Sequence, residues 1–237
     1  MSKPIVIIQS RFNSTRLPGK ALKKIKNIPI IILCIRRLAN KGHKVIVATS
    51  KNKSDDKLIQ LLKKNNIDYF RGSLNNVYSR YIDIIKKYNF EDNKLIVRAT
   101  ADNIIPDGYL INFLTKVIKN KKINYLKINH KLHFLPKGFT LEIFTVKEIL
   151  KINKLKLTKK HLEHVTLRIY ENRKKYINFF IKKLKQEKNL SKLRVTIDTN
   201  KDYVFMKNFF ENIKEPFKVS SFKILEYLIK KKLYEKN

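Results

Sequence analysis

Short apolar runs separated by amphipathic stretches place the strongest constraint on how this chain folds. Ile5-Val6-Ile7-Ile8 reads as a buried strand, and Lys44–Thr49, Tyr69-Phe70 and Leu95-Ile96-Val97 repeat the signal. Helical periodicity fills the gaps. One helix spans about Ile30–Lys41, with Gly42 placed to end it in a left-handed cap. Ser54 is positioned to cap a second helix, with Asp55 and Asp56 in its first turn where acidic groups suit the dipole. Asn75–Tyr88 reads as a third. The order β-α-β-α predicts an α/β fold, a Rossmann-like doubly wound and mostly parallel sheet with helices on both faces.

From Asn124 onward the pattern changes to a smaller β-containing extension. Strand-like stretches at Tyr125–Ile128 and Phe139–Phe144 flank a loop carrying His130, His133 and Pro136. Helices are expected at Val146–Ile152 and Thr158–Asn172, strands at Ile177–Leu184 and Leu193–Ile197, and closing helices at about Lys201–Ile213 and Ser221–Tyr234. No internal repeat or Gly/Ser linker marks a boundary, so residues 1–237 read as a single domain. Residues 124–184 read as an elaboration on its sheet, suited to acceptor binding or dimerisation.

Composition narrows the class. The longest apolar run, Ile28–Ile35, is far short of the ~20 residues a membrane helix needs, and the opening residues lead straight into a strand without a secretory pattern. One cysteine, Cys34, excludes an internal disulfide and sits on an apolar helix face. A soluble, cytoplasmic, folded protein without a membrane partner is the expectation. Lys and Arg number 54 against 19 Asp and Glu, a net charge of +35. Dispersed lysines covering every solvated face explain that excess more simply than nucleic acid does. No helix-turn-helix, zinc-finger or RNP-type aromatic pattern accompanies it.

Ligands of open parallel sheets bind outside the carboxyl ends of the strands, near the point where strand order reverses. Polar residues collect just there. Arg11, Ser14, Arg16 and Lys20 follow the first strand, Arg71-Gly72 the third, and Arg98, Thr100 and Asp102 the fourth; Asp198 follows Leu193–Ile197. A basic loop and two separated carboxylates therefore meet at one edge. A nucleoside triphosphate needs cations and oriented donors, and Asp102 and Asp198 are hard oxygen ligands of the kind Mg²⁺ accepts beside substrate phosphates. Asp198 and a further acid, Asp107, have simpler readings. Asp198-Thr199-Asn200 also suits the cap of the next helix, and Asp107 reads as a helix start before Gly108 rather than as a ligand. His161 and His164 stand three apart on one helix but lack companion ligands, so packing, or acceptor contact by His164, is preferred to zinc.

Several motifs extend this picture in order along the chain. They are Ile8-Gln9-Ser10-Arg11-Phe12-Asn13-Ser14-Thr15-Arg16-Leu17-Pro18-Gly19-Lys20, Phe70-Arg71-Gly72-Ser73 backed by Val77 and Arg80-Tyr81, and Val97–Asp102. Lys137–Glu142, Glu163-His164-Val165-Thr166 and Leu193–Thr199 follow. Covering about residues 4 to 205, they resemble the acylneuraminate cytidylyltransferase superfamily, nearest its spore-coat-polysaccharide-biosynthesis branch.

That resemblance implies a nucleotidyltransferase of the nucleotide-diphospho-sugar transferase type. CTP and a sugar acid or related acceptor would give a CMP-linked product and pyrophosphate, for surface-polysaccharide assembly. It further implies that Arg11, Ser14, Arg16 and Lys20 hold the triphosphate, that Gln9, Ser10, Arg71 and Gly72 lie near the base, and that Asp102 and Asp198 ligate Mg²⁺. Arg11, Lys20, Asp102 and Asp198 are then the catalytic set, while Arg98, Thr100, Thr140, Glu142 and His164 complete the substrate site. Relatives of this type are often homodimers. Thr140 replaces the usual aspartate, Leu167 a proline and Asn103-Ile104 a Cys-Pro pair, so the departures fall on the acceptor half. A phosphorylated acceptor giving a CDP-linked product stands as the alternative, and a non-enzymatic basic nucleic-acid-binding protein as the second.

Overall fold

The computed structural model describes residues 2–172 and 181–231. Its centre is β1 (Ile5–Gln9), whose first four residues are buried. The reason is its position. β1 pairs in parallel with β4 (Lys44–Ser50) on one side and β6 (Leu95–Thr100) on the other, and both faces of the sheet are covered. Alternate residues accordingly serve two cores. Val6 and Ile8 pack with helices α1 (Ile30–Ala39), α2 (Asp56–Lys64) and α4 (Gly108–Asn120). Ile5 and Ile7 pack with α3 (Val77–Lys87) and α5 (Val146–Ile152). A run of four apolar residues with no polar alternation is what such a two-sided strand requires.

The six-stranded sheet has the order β5-β4-β1-β6-β8-β7, with β5 at Asp68–Gly72, β7 at Tyr125–Lys127 and β8 at Glu142–Thr145. The β8 strand runs antiparallel to both its neighbours and the remaining pairings are parallel. The protein is thus a Rossmann-like, doubly wound α/β fold. From β1 the chain winds outward through β4 and β5, then crosses to β6 on the opposite side, so the strand order reverses between β1 and β6. Their carboxyl ends open the crevice where ligands of such sheets bind. Gly42 ends the first helix turn as expected, with φ of 74° and its N–H on the Ala39 carbonyl. A small hairpin, β2 (Lys24–Ile25) and β3 (Ile28–Pro29), was not anticipated; Lys26 and Asn27 turn it at positive φ.

Several expectations need correction. Ser54 does not cap α2: it lies in a single 3-10 turn capped by Asn52, and the Asp55 carboxylate turns inward instead of facing the helix dipole. The helix expected over Thr158–Asn172 is two helices, α6 (Lys159–Glu163) and α7 (Leu167–Asn172). Thr158 caps α6 in a capping box with His161, and the break falls where the Thr166 hydroxyl turns to the buried Glu142 carboxylate. Leu193–Ile197 is extended but joins no sheet. It is laced to two loops, Lys137 N–H to Leu193 O (2.8 Å), Val195 N–H to Lys137 O (2.9 Å) and Ile197 N–H to Asp102 O (2.9 Å). Of the strand expected at Ile177–Leu184, residues 177–180 and with them Phe179-Phe180 lie outside the described residues, and Lys182–Leu184 is a 3-10 turn.

The closing helices are α8 (Asn200–Glu211) and α9 (Ser221–Lys230), with Phe209 and Phe210 buried and Phe205 packed against the same core. Cys34 is buried in α1, and burial pushes its thiol up to about 12. Among the described residues no helix is long and apolar enough to cross a membrane.

Candidate active site

A cleft of about 620 Å³ opens at the carboxyl ends of β1 and β6. Lys20 organises one end of it. Gly19, at φ of 64°, turns the loop after β1 into a short 3-10 turn that aims Lys20 inward. The Lys20 ammonium lies 3.0 Å from Asp102 Oδ2 and 3.1 Å from Asp198 Oδ1, and also donates to the Ile197 carbonyl at 3.2 Å. Two acids that stand far apart in the sequence therefore converge on one point. Arg16 reaches Asp198 Oδ1 at 3.2 Å, and Arg194 holds its other oxygen. Burial raises the Asp198 carboxyl pKa, but the Lys20 hydrogen bond and the charges of Lys20, Arg16 and Arg194 outweigh it and leave the group below its ordinary value. Thr199, not Asp198, caps the next helix, in a capping box with Asp202. Asp107 caps α4 by accepting from the Leu110 N–H, which is the structural role its position suggested.

The other expected residues separate into four places. Gln9, Ser10, Arg11, Ser14, Thr100 and His164 line this cleft together with the acid pair and its cations. Arg11 is exposed and makes no ion pair among the described residues, which leaves its fork free for an anion. Arg98 and Glu142 lie behind Gln9. Arg98 donates from Nε to Gln9 Oε1 at 3.1 Å and from its NH1 nitrogen to Glu142 at 3.3 Å, and Lys127 closes on the same carboxylate at 3.3 Å. Burial pulls the Glu142 carboxyl upward, but the Arg98 and Lys127 charges and the Thr166 hydroxyl bring it below its ordinary value.

Arg71 and Gly72 do not line the cleft. Arg71 donates to the Ser50 and Asn52 carbonyls and pairs with Asp56, holding the turn after β4. Gly72 serves packing, because a Cβ there would sit 2.9 Å from Arg80 Cγ. Thr140 lines a second cleft of about 540 Å³, which shares Thr100 and Asp102 with the first. Lys127, His130, Lys131 and Lys137 also face it, and burial plus the three lysine charges lower the His130 pKa.

A family model described as cytidylyltransferase matches residues 5–237. The chain belongs to the cytidylyltransferase family. It is accordingly a nucleotidyltransferase. A solved cytidylyltransferase from Leptospira borgpetersenii superposes with a TM-score of 0.85 at 30% identity, over 99% of this chain and 97% of that one. The spore coat polysaccharide biosynthesis protein SpsF of Bacillus subtilis is 26% identical over 96% of this chain and 95% of its own. An uncharacterised protein of Methanocaldococcus jannaschii is 32% identical, with 85% of this chain and 80% of that protein covered. A 3-deoxy-manno-octulosonate cytidylyltransferase from Blochmanniella floridana matches at 29% over 53% of this chain and 50% of its own.

Three residues that brace this cytidylyltransferase site were given no role in it by the sequence. Asp55 is buried and accepts from the Phe12 N–H at 2.7 Å, tying the loop after β1 to the end of β4. Arg80, also buried, fixes the cleft rim by donating to the Ser73 and Leu74 carbonyls at 2.6 and 2.8 Å. Arg194 braces Asp198 from one helical turn's distance in sequence. Each carried a signal: Asp55 follows a strand just as the noted residues do, and Arg80 interrupts the apolar face of Tyr81, Ile84 and Ile85.

Proposed function

We propose that this cytidylyltransferase transfers CMP from CTP to a sugar acid or related acceptor, releasing pyrophosphate, with Mg²⁺ as cofactor. The observation that carries the reading is the convergence of Asp102 and Asp198 on Lys20, beside a loop bearing Arg11, Ser14 and Arg16. Names among the relatives support it: one acts in spore coat polysaccharide biosynthesis and another is a 3-deoxy-manno-octulosonate cytidylyltransferase.

Two hard carboxylates sharing one cationic point fit Mg²⁺, which takes one or two protein carboxylates and fills its shell from phosphates and water. No group of three or more His, Cys, Asp or Glu gathers among the described residues, so substrate oxygens would supply the remaining ligands. Asp102 and Asp198 would hold the ion, and bound there it supplies charge neutralisation at the α-phosphoryl oxygens and acidifies the attacking hydroxyl. This chain's own residues do the positioning. Arg11 and Arg16 offer planar forks to the triphosphate, Ser14 a hydroxyl, and Lys20 a point charge next to the leaving pyrophosphate. An acceptor oxygen forms its bond to the α-phosphorus while the bond to the β-phosphate oxygen breaks, and the hydroxyl proton leaves to solvent. Charge spreads onto the departing pyrophosphate, where preoriented cations lower the barrier most.

The second cleft suits the acceptor because it meets the first at Thr100 and Asp102. Its lysines favour an anionic acceptor, a sugar acid in the leading reading. Three ammonium groups also suit a phosphate, which would yield a CDP-linked product. Incubation with CTP, Mg²⁺ and a panel of ulosonates, nonulosonates and phosphorylated polyols should release pyrophosphate, and product mass then counts the phosphates. Silence across the whole panel would overturn the reading. A homodimer through residues 124–184 belongs to the same reading, and sedimentation as a strict monomer would remove it.

A further inference from the structure

The Gln9 amide has its orientation chosen by chemistry. A guanidinium carries only donors, so the group within 3.1 Å of Arg98 Nε must be the Gln9 carbonyl oxygen, and the amide nitrogen must point elsewhere. Arg98 cannot swing away to release it, because Glu142 holds the other side of its fork, and Lys127 and Thr166 hold Glu142. The Gln9 nitrogen itself has no protein partner among the described residues. Nor is it one of the buried polar atoms left unpaired, so it meets solvent at the cleft that Gln9 lines. That cleft is charged at the Lys20 end. Across β1 from there, on the side of β5, lie Leu74, Asn75, Asn76 and Val77, an apolar and amide surface suited to a nucleobase.

We propose that Gln9 is a base-selecting residue, and that Arg98 and Glu142 are the positioning residues that make it present a hydrogen-bond donor. The inference rests on the reading of the cleft as a CTP site. Cytosine carries a bare acceptor at N3, whereas uracil carries a hydrogen there, so a fixed donor accepts the first base and confronts the second with donor against donor. A half-buried fork, braced by Glu142, that leaves a free amide nitrogen at the cleft selects cytosine by geometry, with no base contact from Arg98 itself.

Isothermal titration of the full chain with CTP and with UTP, each with Mg²⁺, tests this. The unaltered protein should bind CTP at least about tenfold more tightly than UTP, about what one net hydrogen bond contributes at the upper end of its range. Gln9→Glu turns the free atom into an acceptor, so both affinities fall with the added charge while the CTP:UTP ratio drops about tenfold or inverts. Arg98→Lys, which cannot serve Gln9 and Glu142 together as a fork, should lower the same ratio; a purely structural role would weaken both nucleotides alike. Equal loss for CTP and UTP in Gln9→Glu overturns the inference while leaving the CTP reading intact. If the unaltered protein binds neither nucleotide, both fall together.

Discussion

Asp55 offers the sharpest test of how the phosphate loop is held. Its Oδ1 accepts the Phe12 N–H at 2.7 Å, and its Oδ2 accepts Thr49 Oγ1 at 2.8 Å, the Ser50 N–H at 2.9 Å and Ser50 Oγ at 2.5 Å. The Phe12 bond is the one hydrogen bond made by the backbone of residues 11–16 among the described residues. Asp55→Asn keeps the shape but converts one acceptor oxygen into an NH₂ donor. Whichever way the amide sits, it faces donors on one side. Either Phe12 or the Thr49-Ser50 cluster then loses its partner. A buried donor left unpaired costs about 1–3 kcal/mol, and bonds to a charged acceptor are at the upper end. A loss of about 3 kcal/mol is therefore expected, which for a chain of this size lowers Tm by about 6–12 °C.

Function should separate from stability. A loop that must be ordered by the nucleotide itself charges its ordering cost to binding, so the KM for CTP should rise about five- to thirtyfold, well below the Tm, with kcat changed much less. Thermal melting and initial-rate pyrophosphate release measure the two effects. A variant that melts early but retains the original KM would show that the loop keeps its shape without Asp55, and would refute the reasoning.

Four further outcomes follow from the same geometry. Asp102→Asn should abolish pyrophosphate release while leaving Tm within a few degrees, since Lys20 keeps its bonds to Asp198 and the Ile197 carbonyl; a variant with normal turnover removes Asp102 from the reaction. Gly138→Ala should destabilise the protein by about 1–3 kcal/mol in urea unfolding, because φ is 112° and the new Cβ would meet Thr196 N at 2.9 Å; a wild-type midpoint would contradict this packing. Glu142 has a folded pKa below its ordinary 4.5, so the stability it contributes is complete above that value and is lost as pH falls through the lower folded value. The urea midpoint should therefore drop below about pH 4.5 less steeply in Glu142→Gln than in the parent, and parallel profiles would refute the pairing. Lys131→Ala with Lys137→Ala should raise acceptor KM by about tenfold and leave CTP KM alone; an unchanged acceptor KM would detach the second cleft from the acceptor.

Much of this fold was legible because strand and helix signals are local. The run Ile5–Ile8 announces a two-sided strand, Gly42 a helix end, and the residues after three strands a site edge. Long-range competition erased the rest. The family resemblance placed Arg71 near the base, but β5 alternation puts it with Thr49 on the α2 face, and Asp56 and two carbonyls claim it there. Thr158–Asn172 has helical periodicity throughout, yet a buried carboxylate from a different element captured Thr166 and broke the run. Asp55 was misread for the converse reason: a first-turn acid usually serves its own helix, and this one serves a loop 43 residues away.

The distribution of the two acids along the chain ties catalysis to completion of the fold. Asp102 leaves the sheet directly from β6, so its backbone is placed once the parallel core has formed. Asp198 has no sheet support. It stands at the end of a segment that pairs with no sheet strand, held to its neighbouring loops by three backbone hydrogen bonds, to Lys137 twice and to Asp102 once, while its own N–H donates to Asp202 at the start of α8. The two bonds to Lys137 depend on Gly138, which lets the two backbones approach, and on the antiparallel strand β8, which continues from residues 137–141 beside β6. The extension after Asn124 is therefore not separable from the nucleotide half: it seats the second carboxylate as well as facing the acceptor cleft. Loosening the contact between residues 137 and 195 displaces Asp198 from Lys20 and from Asp102 together. Gly138→Ala should then lower kcat at temperatures well below its own melting point, whereas a change confined to the exposed face of α9 that costs the same stability should not.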